Sequence, residues 1–258
     1  MATMTLLQMT QDILSDMDSD NVNAINDSVE ALQVAQIIKT SYFNIINGKD
    51  YDFLHKLFQL TASTTVDRPT HMKVPGDIIN VEYVKYNCKL TAPARDLFKV
   101  MEYKTPEEFM DLVDARDSLA TNVKVVSDLT GVTLNILKDK APSCYTSFND
   151  DEVIFDAYIA TLETNLQASK TQSHGKRAMV FTMSDTFIPD LPVQMFTYLL
   201  NEAKSACFLT LKQMANPKAE QISTRQRRIM SEEAFKIKKG ISFPNYGRNV
   251  ANKRTPNY

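Results

Sequence analysis

The chain has 258 residues, of which 43% are hydrophobic and 23% are charged, and its formal net charge is −2. These values are ordinary for a globular protein, and the length is enough for one large domain or two small ones. No apolar run approaches the roughly 18 residues that a membrane helix needs. The first residues show no basic segment followed by an apolar one, so we predict neither a membrane span nor a secretory signal.

The three cysteines indicate neither a disulfide framework nor a zinc site. Cys88, Cys144 and Cys207 are odd in number and widely spaced, and no pair forms a C-x-x-C motif. Such spacing lacks the regularity of disulfide-rich or zinc-binding sequences. A reducing cytoplasm is therefore the expected place of synthesis.

Helices are predicted for the first part of the chain. Thr5 can cap a helix that runs to about residue 17, because the apolar residues after it recur at helical spacing. Asp27 and Ser28 can cap a longer, more apolar helix, which Gly48 is suited to end. Apolar positions also recur within residues 51–60, and we predict a third helical segment there.

The middle of the chain, about residues 62–160, is rich in β-type residues. Residues 79–90 partly alternate between apolar and polar, which predicts an antiparallel strand with one wet face. Two strands are predicted on either side of Gly131, and two more around a turn at residues 149–152. A short helix interrupts this region, because Thr105 can cap it, Pro106 suits its first position and Glu108 completes a capping box.

The last third returns to a helical pattern. Residues 169–176 are polar and are predicted to form an exposed loop, and a helix is predicted over residues 191–215. Asn216 and Pro217 end that body and can also cap and begin a new helix. We therefore predict an α+β, mainly helical fold: a helix bundle with a β-rich middle insertion, forming a body of residues 1–216, and an extended C-terminal arm of residues 217–258.

Charge is distributed unevenly between the body and the arm. Residues 218–258 contain ten Lys or Arg and three acidic residues, a net charge of +7, whereas the preceding residues carry −9. A cationic segment of this kind attracts an anionic surface. Nucleic acid is one candidate partner, and an acidic protein, including the acidic body of a neighbouring copy, is another. The arm could also be a solvated tail without a partner.

The arm contains the residue types that dominate protein interfaces, arginine and aromatics. Guanidinium groups bind carboxylates or phosphates through two hydrogen bonds. Phe243 and Tyr246 flank a turn-prone Pro-Asn pair and could act as anchors, or could stack nucleic-acid bases. Apolar residues within 217–239 are too sparse for a helix buried in one domain. The predicted partner-binding residues are Arg225, Arg227, Arg228, Lys236, Lys238, Lys239, Phe243, Tyr246 and Arg248.

No motif for catalysis or for a cofactor is present. The histidines at positions 55, 71 and 174 show no metal-ligand spacing. The sequence contains neither G-x-S-x-G nor a glycine-rich phosphate loop. A D-x-D-x-D pattern begins at Asp16, but Asn21 and Asp27 stand where a calcium loop needs Gly and Glu. We therefore predict no catalytic residues, no metal, no cofactor and no enzymatic activity.

Six segments together resemble the head-to-tail adaptor (connector) proteins of tailed bacteriophages. They lie at both ends and in the middle of the chain, so the resemblance covers most of it. They are residues 6–20 (LLQMTQDILSDMDSD), 29–38 (VEALQVAQII), 147–152 (SFNDDE), 189–192 (PDLP), 212–220 (KQMANPKAE) and 243–248 (FPNYGR).

The resemblance implies a structural virion protein made in the host cytoplasm and located in the neck. Adaptors of this kind form a ring, commonly of twelve copies, beneath the portal vertex. The expected partners are the portal protein, a tail or nozzle protein and neighbouring copies of the same chain. The C-terminal arm would reach the portal or a neighbouring subunit. DNA would pass through the channel without specific binding, which suits an acidic body. A nucleic-acid-binding protein that uses the basic tail is the alternative.

Overall fold

The structure is a computed structural model that describes residues 3–89 and 95–238, with side chains to residue 231. Contacts group the chain into two units, one made of residues 1–52 and 181–258 and the other of residues 53–180. We call them the helical unit and the β unit. The helices are α1 Leu6–Asp16, α2 Val29–Asn47, α3 Pro106–Asp114, α4 Met195–Leu211 and α5 Pro217–Lys238.

The helical unit contains α1, α2, α4 and α5, and its first two helices begin where capping chemistry predicts. The Thr5 side chain accepts a hydrogen bond from the backbone N–H of Gln8, and the Gln8 side chain accepts one from the N–H of Thr5. The Ser28 hydroxyl accepts from the N–H of Ala31. These bonds satisfy donors that a helix start would otherwise leave unpaired. No helix among the described residues is long and apolar enough to span a membrane.

The core of the helical unit is a set of apolar side chains from three of its helices. Helix α2 packs against α1 and α4, and α5 packs against α4. The exposed fraction of each core side chain is close to zero, as one apolar stripe per helix requires. Among them are Leu6, Met9, Ile13, Val34, Ile38, Tyr42, Leu199, Ala203 and Cys207.

Among its described residues, the β unit contains α3 and eleven strands in three sheets. The sheet orders are β1-β11-β4-β5, β2-β3-β10-β9-β6 and β7-β8, and β6 with β9 is the parallel pair. The strands are β1 His55–Phe58, β2 Thr61–Ala62, β3 His71–Lys73, β4 Ile78–Asn87, β5 Phe98–Val100, β6 Glu102–Tyr103, β7 Val123–Ser127, β8 Thr133–Leu137, β9 Cys144–Thr146, β10 Glu152–Phe155 and β11 Thr171–Arg177.

Several local predictions are confirmed in the β unit. Strand β4 covers most of the predicted alternating segment, and β7 pairs with β8 across the Gly131 turn, where φ is +85°. Helix α3 has the predicted capping box between Thr105 and Glu108, with Pro106 at its start. All of these features depend on residues close together in the sequence, so that local chemistry is enough to specify them.

The prediction of a mainly helical fold is wrong. Of the residues that the structure describes, 34% are helical and 23% are in strands, a mixed α+β fold rather than a helix bundle with a small β insertion. The β unit has its own hydrophobic core, which includes Met72, Tyr86, Phe109 and Phe155. Residues 51–60 account for part of the error, because they form a short 3₁₀ turn over Asp52–Leu54 followed by strand β1.

The predicted loop at residues 169–176 is also wrong, because strand β11 lies there between β1 and β4. Its inward positions hold small residues, Thr171, Ser173 and Gly175, which are all buried. The Thr171 hydroxyl accepts from the N–H of Leu60 at 3.0 Å. An interior strand with small polar residues in place of apolar ones shows no hydrophobic alternation, so its sequence is typical of a loop.

Candidate functional site

The first half of the predicted arm forms helix α5, so the prediction of an extended arm is wrong for residues 217–238. Pro217 begins the helix, and the side-chain oxygen of Asn216 accepts from the N–H of Ala219 at 3.1 Å. This cap was foreseen in the sequence, whereas the packing of the helix was not. The first half of the predicted arm therefore belongs to the helical unit.

One narrow face of α5 is buried in the helical unit. Ala219, Ser223 and Met230 are buried, and Ile222 and Ile229 are half-buried. The Ser223 hydroxyl donates a hydrogen bond to the carboxylate of Glu202 on α4. Small side chains let two helices approach closely, so α5 packs on α4 with few large apolar residues. This is why the sparse apolar pattern did not predict a packed helix.

The arginines lie on the other faces of α5. Arg225, Arg227 and Arg228 are exposed. Because successive residues on a helix are about 100° apart, Arg225 and Arg228 share one face and Arg227 points toward a different one. Two exposed guanidinium groups one turn apart on a packed helix form a cationic surface. We call Arg225 and Arg228 the arginine pair.

Arg227 lies at a groove of the helical unit formed by α2, α4 and α5. Burial raises the pKa of Tyr51, and the positive charge of Arg227 offsets part of that shift. Burial and then the carboxylate of Glu202 raise the pKa of Tyr198. Both phenols are therefore neutral near pH 7 and can donate hydrogen bonds. The groove is lined by Asn44, Ile45, Gly48, Lys49, Tyr51, Tyr198, Glu202, Arg227 and Ser231.

The structure describes the remaining predicted binding residues only in part. Lys236 and Lys238 belong to α5 through their backbone. Lys239, Phe243, Tyr246 and Arg248 lie outside the described residues. The structure therefore places three of the nine predicted residues in full, and it separates Arg227 from the arginine pair.

Sequence reasoning overlooked a second cluster, which lies in the β unit. One oxygen of Glu82 is 2.8 Å from Nδ1 of His55, and the other is 2.6 Å from Nδ1 of His174. Their ligand atoms lie within 4.8 Å of one another, so these three residues could hold a metal ion. Because His55 and His174 are far apart in the sequence, only the strand pairing brings them together.

The third histidine and two of the cysteines are buried. The third histidine, His71, is buried against Asp128, with Nε2 3.1 Å from Oδ1. Burial raises the pKa of the Cys144 thiol to about 11. In the helical unit, burial raises the pKa of Cys207 to about 12. Both thiols are protonated near neutral pH, and thiolate chemistry is not expected at either.

Neither comparison with known proteins assigns the chain to a family: no protein-family model matches it, and no curated protein matches it.

Proposed function

We propose that this protein is a head-to-tail adaptor of a tailed bacteriophage. It forms a ring beneath the portal, joins the portal to a tail or nozzle protein and surrounds the DNA channel. It acts as a structural component of the virion neck and not as an enzyme. The observation that carries the proposal is the exposed arginine pair on α5, at the root of a segment with a net charge of +7. The six resembling segments point to the same role.

Helix α5 suits docking onto an acidic protein surface. A guanidinium group binds a carboxylate through two parallel hydrogen bonds. Because α5 is already packed on α4, its arginines lose less conformational freedom on binding than those of a flexible tail would. The portal or a neighbouring subunit would supply the carboxylates, and the basic residues that follow would extend the contact.

Nucleic-acid binding is the second candidate, and the structure of α5 favours it more than the sequence did. A basic segment without a folded recognition element would be a weak argument for DNA binding, but Arg225 and Arg228 lie on a folded helix. The charge of −9 on residues 1–217 opposes a phosphate backbone. We therefore keep the adaptor as the proposal and make DNA binding an outcome of the test.

The charge reversal R225E/R228E tests the adaptor proposal. The double variant should weaken binding to the co-expressed portal protein by roughly tenfold or more, because it replaces two attractive charges with repulsive ones. Binding of the original chain should also weaken with added salt, which screens exposed charges. Affinity is measured by co-purification and by biolayer interferometry on immobilised portal.

The control is K73E/K140E, which makes the same change of net charge at two exposed lysines of the β unit. It should leave portal binding unchanged. Equal portal binding by R225E/R228E and the original chain would contradict the docking role of α5. Loss of duplex DNA binding at low salt in R225E/R228E, with portal binding intact, would favour the second candidate.

A further inference from the structure

The outer face of the four-stranded sheet in the β unit holds two histidines and a glutamate from three neighbouring strands. His55 on β1 is paired with Lys176 on β11, and His174 lies two residues before Lys176. Residues two apart on a strand face the same way, and so do directly paired residues. His55 and His174 therefore lie diagonally across from one another on one face.

Glu82 reaches the same face because β4 has an irregularity at this point. His174 pairs with Tyr83 and the next residue, Gly175, pairs with Val81, so Glu82 is an extra residue in β4. A bulge of this kind turns a side chain away from its regular direction. Here it places both carboxylate oxygens between the two imidazoles.

Strand β11 can lie close to the bulge in β4 because residue 175 is a glycine. A Cβ atom at this position would overlap with the backbone carbonyl oxygen of Asn80 and press on the Phe58 ring. Any other residue would push β11 and β4 apart. The cluster therefore depends on a backbone feature that only glycine permits, which makes it a specific arrangement rather than a chance meeting of surface side chains.

The imidazole rings are held in a fixed orientation. The rings of His55 and His174 are stacked with centroids 5.6 Å apart and planes 14° apart. Tyr83 stacks on the other side of His174 at 5.5 Å and 12°. The His55 side chain is only 9% exposed, while Glu82 is 39% exposed and open to water. A ligand set held in this way loses little side-chain entropy when it binds an ion.

The ligand atoms are spaced closely enough for a transition metal. Zinc–nitrogen and zinc–oxygen bonds of about 2.0–2.2 Å at tetrahedral angles separate ligand atoms by roughly 3.3 Å. The Nδ1–oxygen distances are 2.8 and 2.6 Å, and all the ligand atoms lie within 4.8 Å of one another, so side-chain shifts without backbone movement would bring them to this spacing. Two imidazoles with one carboxylate suit zinc, whereas calcium and magnesium prefer all-oxygen sites.

We propose that His55, Glu82 and His174 bind one Zn²⁺ ion, with water completing the coordination. The ion joins β1, β11 and β4 and so holds together three of the four strands of the sheet. In the metal-free protein, Nδ1 of His174 is hydrogen-bonded to the Glu82 carboxylate, and Nδ1 of His55 lies 2.8 Å from its other oxygen. Zinc would take the place of these contacts, and each imidazole that binds it through Nδ1 would carry its proton on Nε2. This site belongs to the β unit, and the inference does not depend on the adaptor role.

Zinc titration of the full-length chain without an affinity tag tests this inference. We expect one Zn²⁺ per chain, and roughly tenfold or greater weakening of affinity in H174Q and in E82Q. The control E102Q removes an exposed carboxylate from the other large sheet and should bind as the original chain does. Saturating zinc should raise the Tm of the original chain but not that of H174Q.

A second measurement needs no variant, because the chain has three histidines. Imidazole ¹H–¹⁵N spectra should show the Nδ1 signals of His55 and His174 shifting with one equivalent of Zn²⁺, while the His71 signals stay in place. Zinc affinity unchanged in both H174Q and E82Q would overturn the site. So would imidazole spectra in which His55 and His174 do not respond to zinc.

Discussion

At the scale of single residues, the β unit contains a buried carboxylate with several polar partners. Asp156 is 2% exposed, and its two oxygens accept from the N–H groups of Ser143 and Cys144 and from the Ser143 hydroxyl. Arg116 lies 3.3 Å from the same carboxylate and donates to the carbonyl oxygens of Asn135 and Asp156. Arg116 and Asp156 form an ion pair with little exposure, so removing one charge leaves the other without a counter-charge.

The substitution D156N should lower the free energy of unfolding by about 3 kcal/mol, because it leaves the guanidinium of Arg116 without its counter-charge in a buried place. Urea denaturation followed by circular dichroism measures the change. The control D139N alters an exposed carboxylate of the same unit and should stay within about 0.5 kcal/mol. Equal effects of the two substitutions would contradict the argument.

His71 should make stability depend on pH. Burial lowers the pKa of His71 below its ordinary value of 6.5, and this outweighs the opposing effect of Asp128. Burial raises the pKa of Asp128, but hydrogen bonds from Thr130 and its neighbours outweigh burial and leave that pKa low. Nδ1 of His71 has no hydrogen-bond partner among the described residues, so protonation there would add a buried, unpaired donor.

A histidine with a lowered pKa binds fewer protons in the folded state than in the unfolded state. Its contribution to stability is therefore fully present above about pH 6.5 and is lost as the pH falls from there. Unfolding free energies measured in urea at several pH values from 7.5 to 5 should decrease toward low pH. In H71Q this slope should be smaller, whatever its absolute stability. An unchanged slope in H71Q would assign the pH dependence to other groups.

At the scale of elements, β11 makes the four-stranded sheet possible, and Gly175 is its most constrained residue. The substitution G175A should lower the free energy of unfolding by about 1–3 kcal/mol, because the added methyl group meets the Asn80 backbone and not a flexible side chain. The measurement is again urea denaturation. G76A is the matched control, since a Cβ at residue 76 would meet nothing within 4 Å. It should be neutral or slightly stabilising, and a similar loss in both variants would contradict this account of β11.

The way that α5 packs explains why the sequence did not predict it as a packed helix. Helix prediction from sequence depends on apolar residues at helical spacing, but Ala219 and Ser223 pack on α4 through their small size. The position of the helix start was still predictable, because Asn216 and Pro217 act locally. Truncating the chain before α5 would uncover α4, so point substitutions at Arg225 and Arg228 are the cleaner test of docking.

At the scale of the whole molecule, the two ends of the chain belong to one unit. Residues 1–52 and 181–258 form the helical unit, and residues 53–180 form the β unit between them in sequence. Lys204 on α4 links the two segments of the helical unit, because its Nζ lies 2.7 Å from Asp12 and 2.6 Å from Asp16 of α1. Such contacts between distant segments leave no trace in local sequence patterns.

The distribution of charge along the whole chain indicates which segment would dock in the proposed assembly. The basic segment begins where α5 leaves the cap at Asn216, and the residues before it carry the acidic excess. In the proposed ring, the basic segment of one copy would meet the portal or the acidic surface of the next copy. The charge-reversal experiment on the arginine pair addresses the first contact, and its salt dependence reports how exposed those charges are.

The sequence by itself determined the features that depend on near neighbours. Thr5, Ser28 and Thr105 cap their helices with hydrogen bonds to N–H groups three residues away, and the uneven charge is a matter of composition. Tertiary structure alone decided the central place of β11, the packing of α5 and the meeting of His55, Glu82 and His174. The physical reason for β11 and for the histidine–glutamate cluster is that they join strands distant in the sequence. Helix α5 packs on the neighbouring helix α4, but it does so through small and polar residues. In all three cases the residues in contact do not produce an apolar pattern.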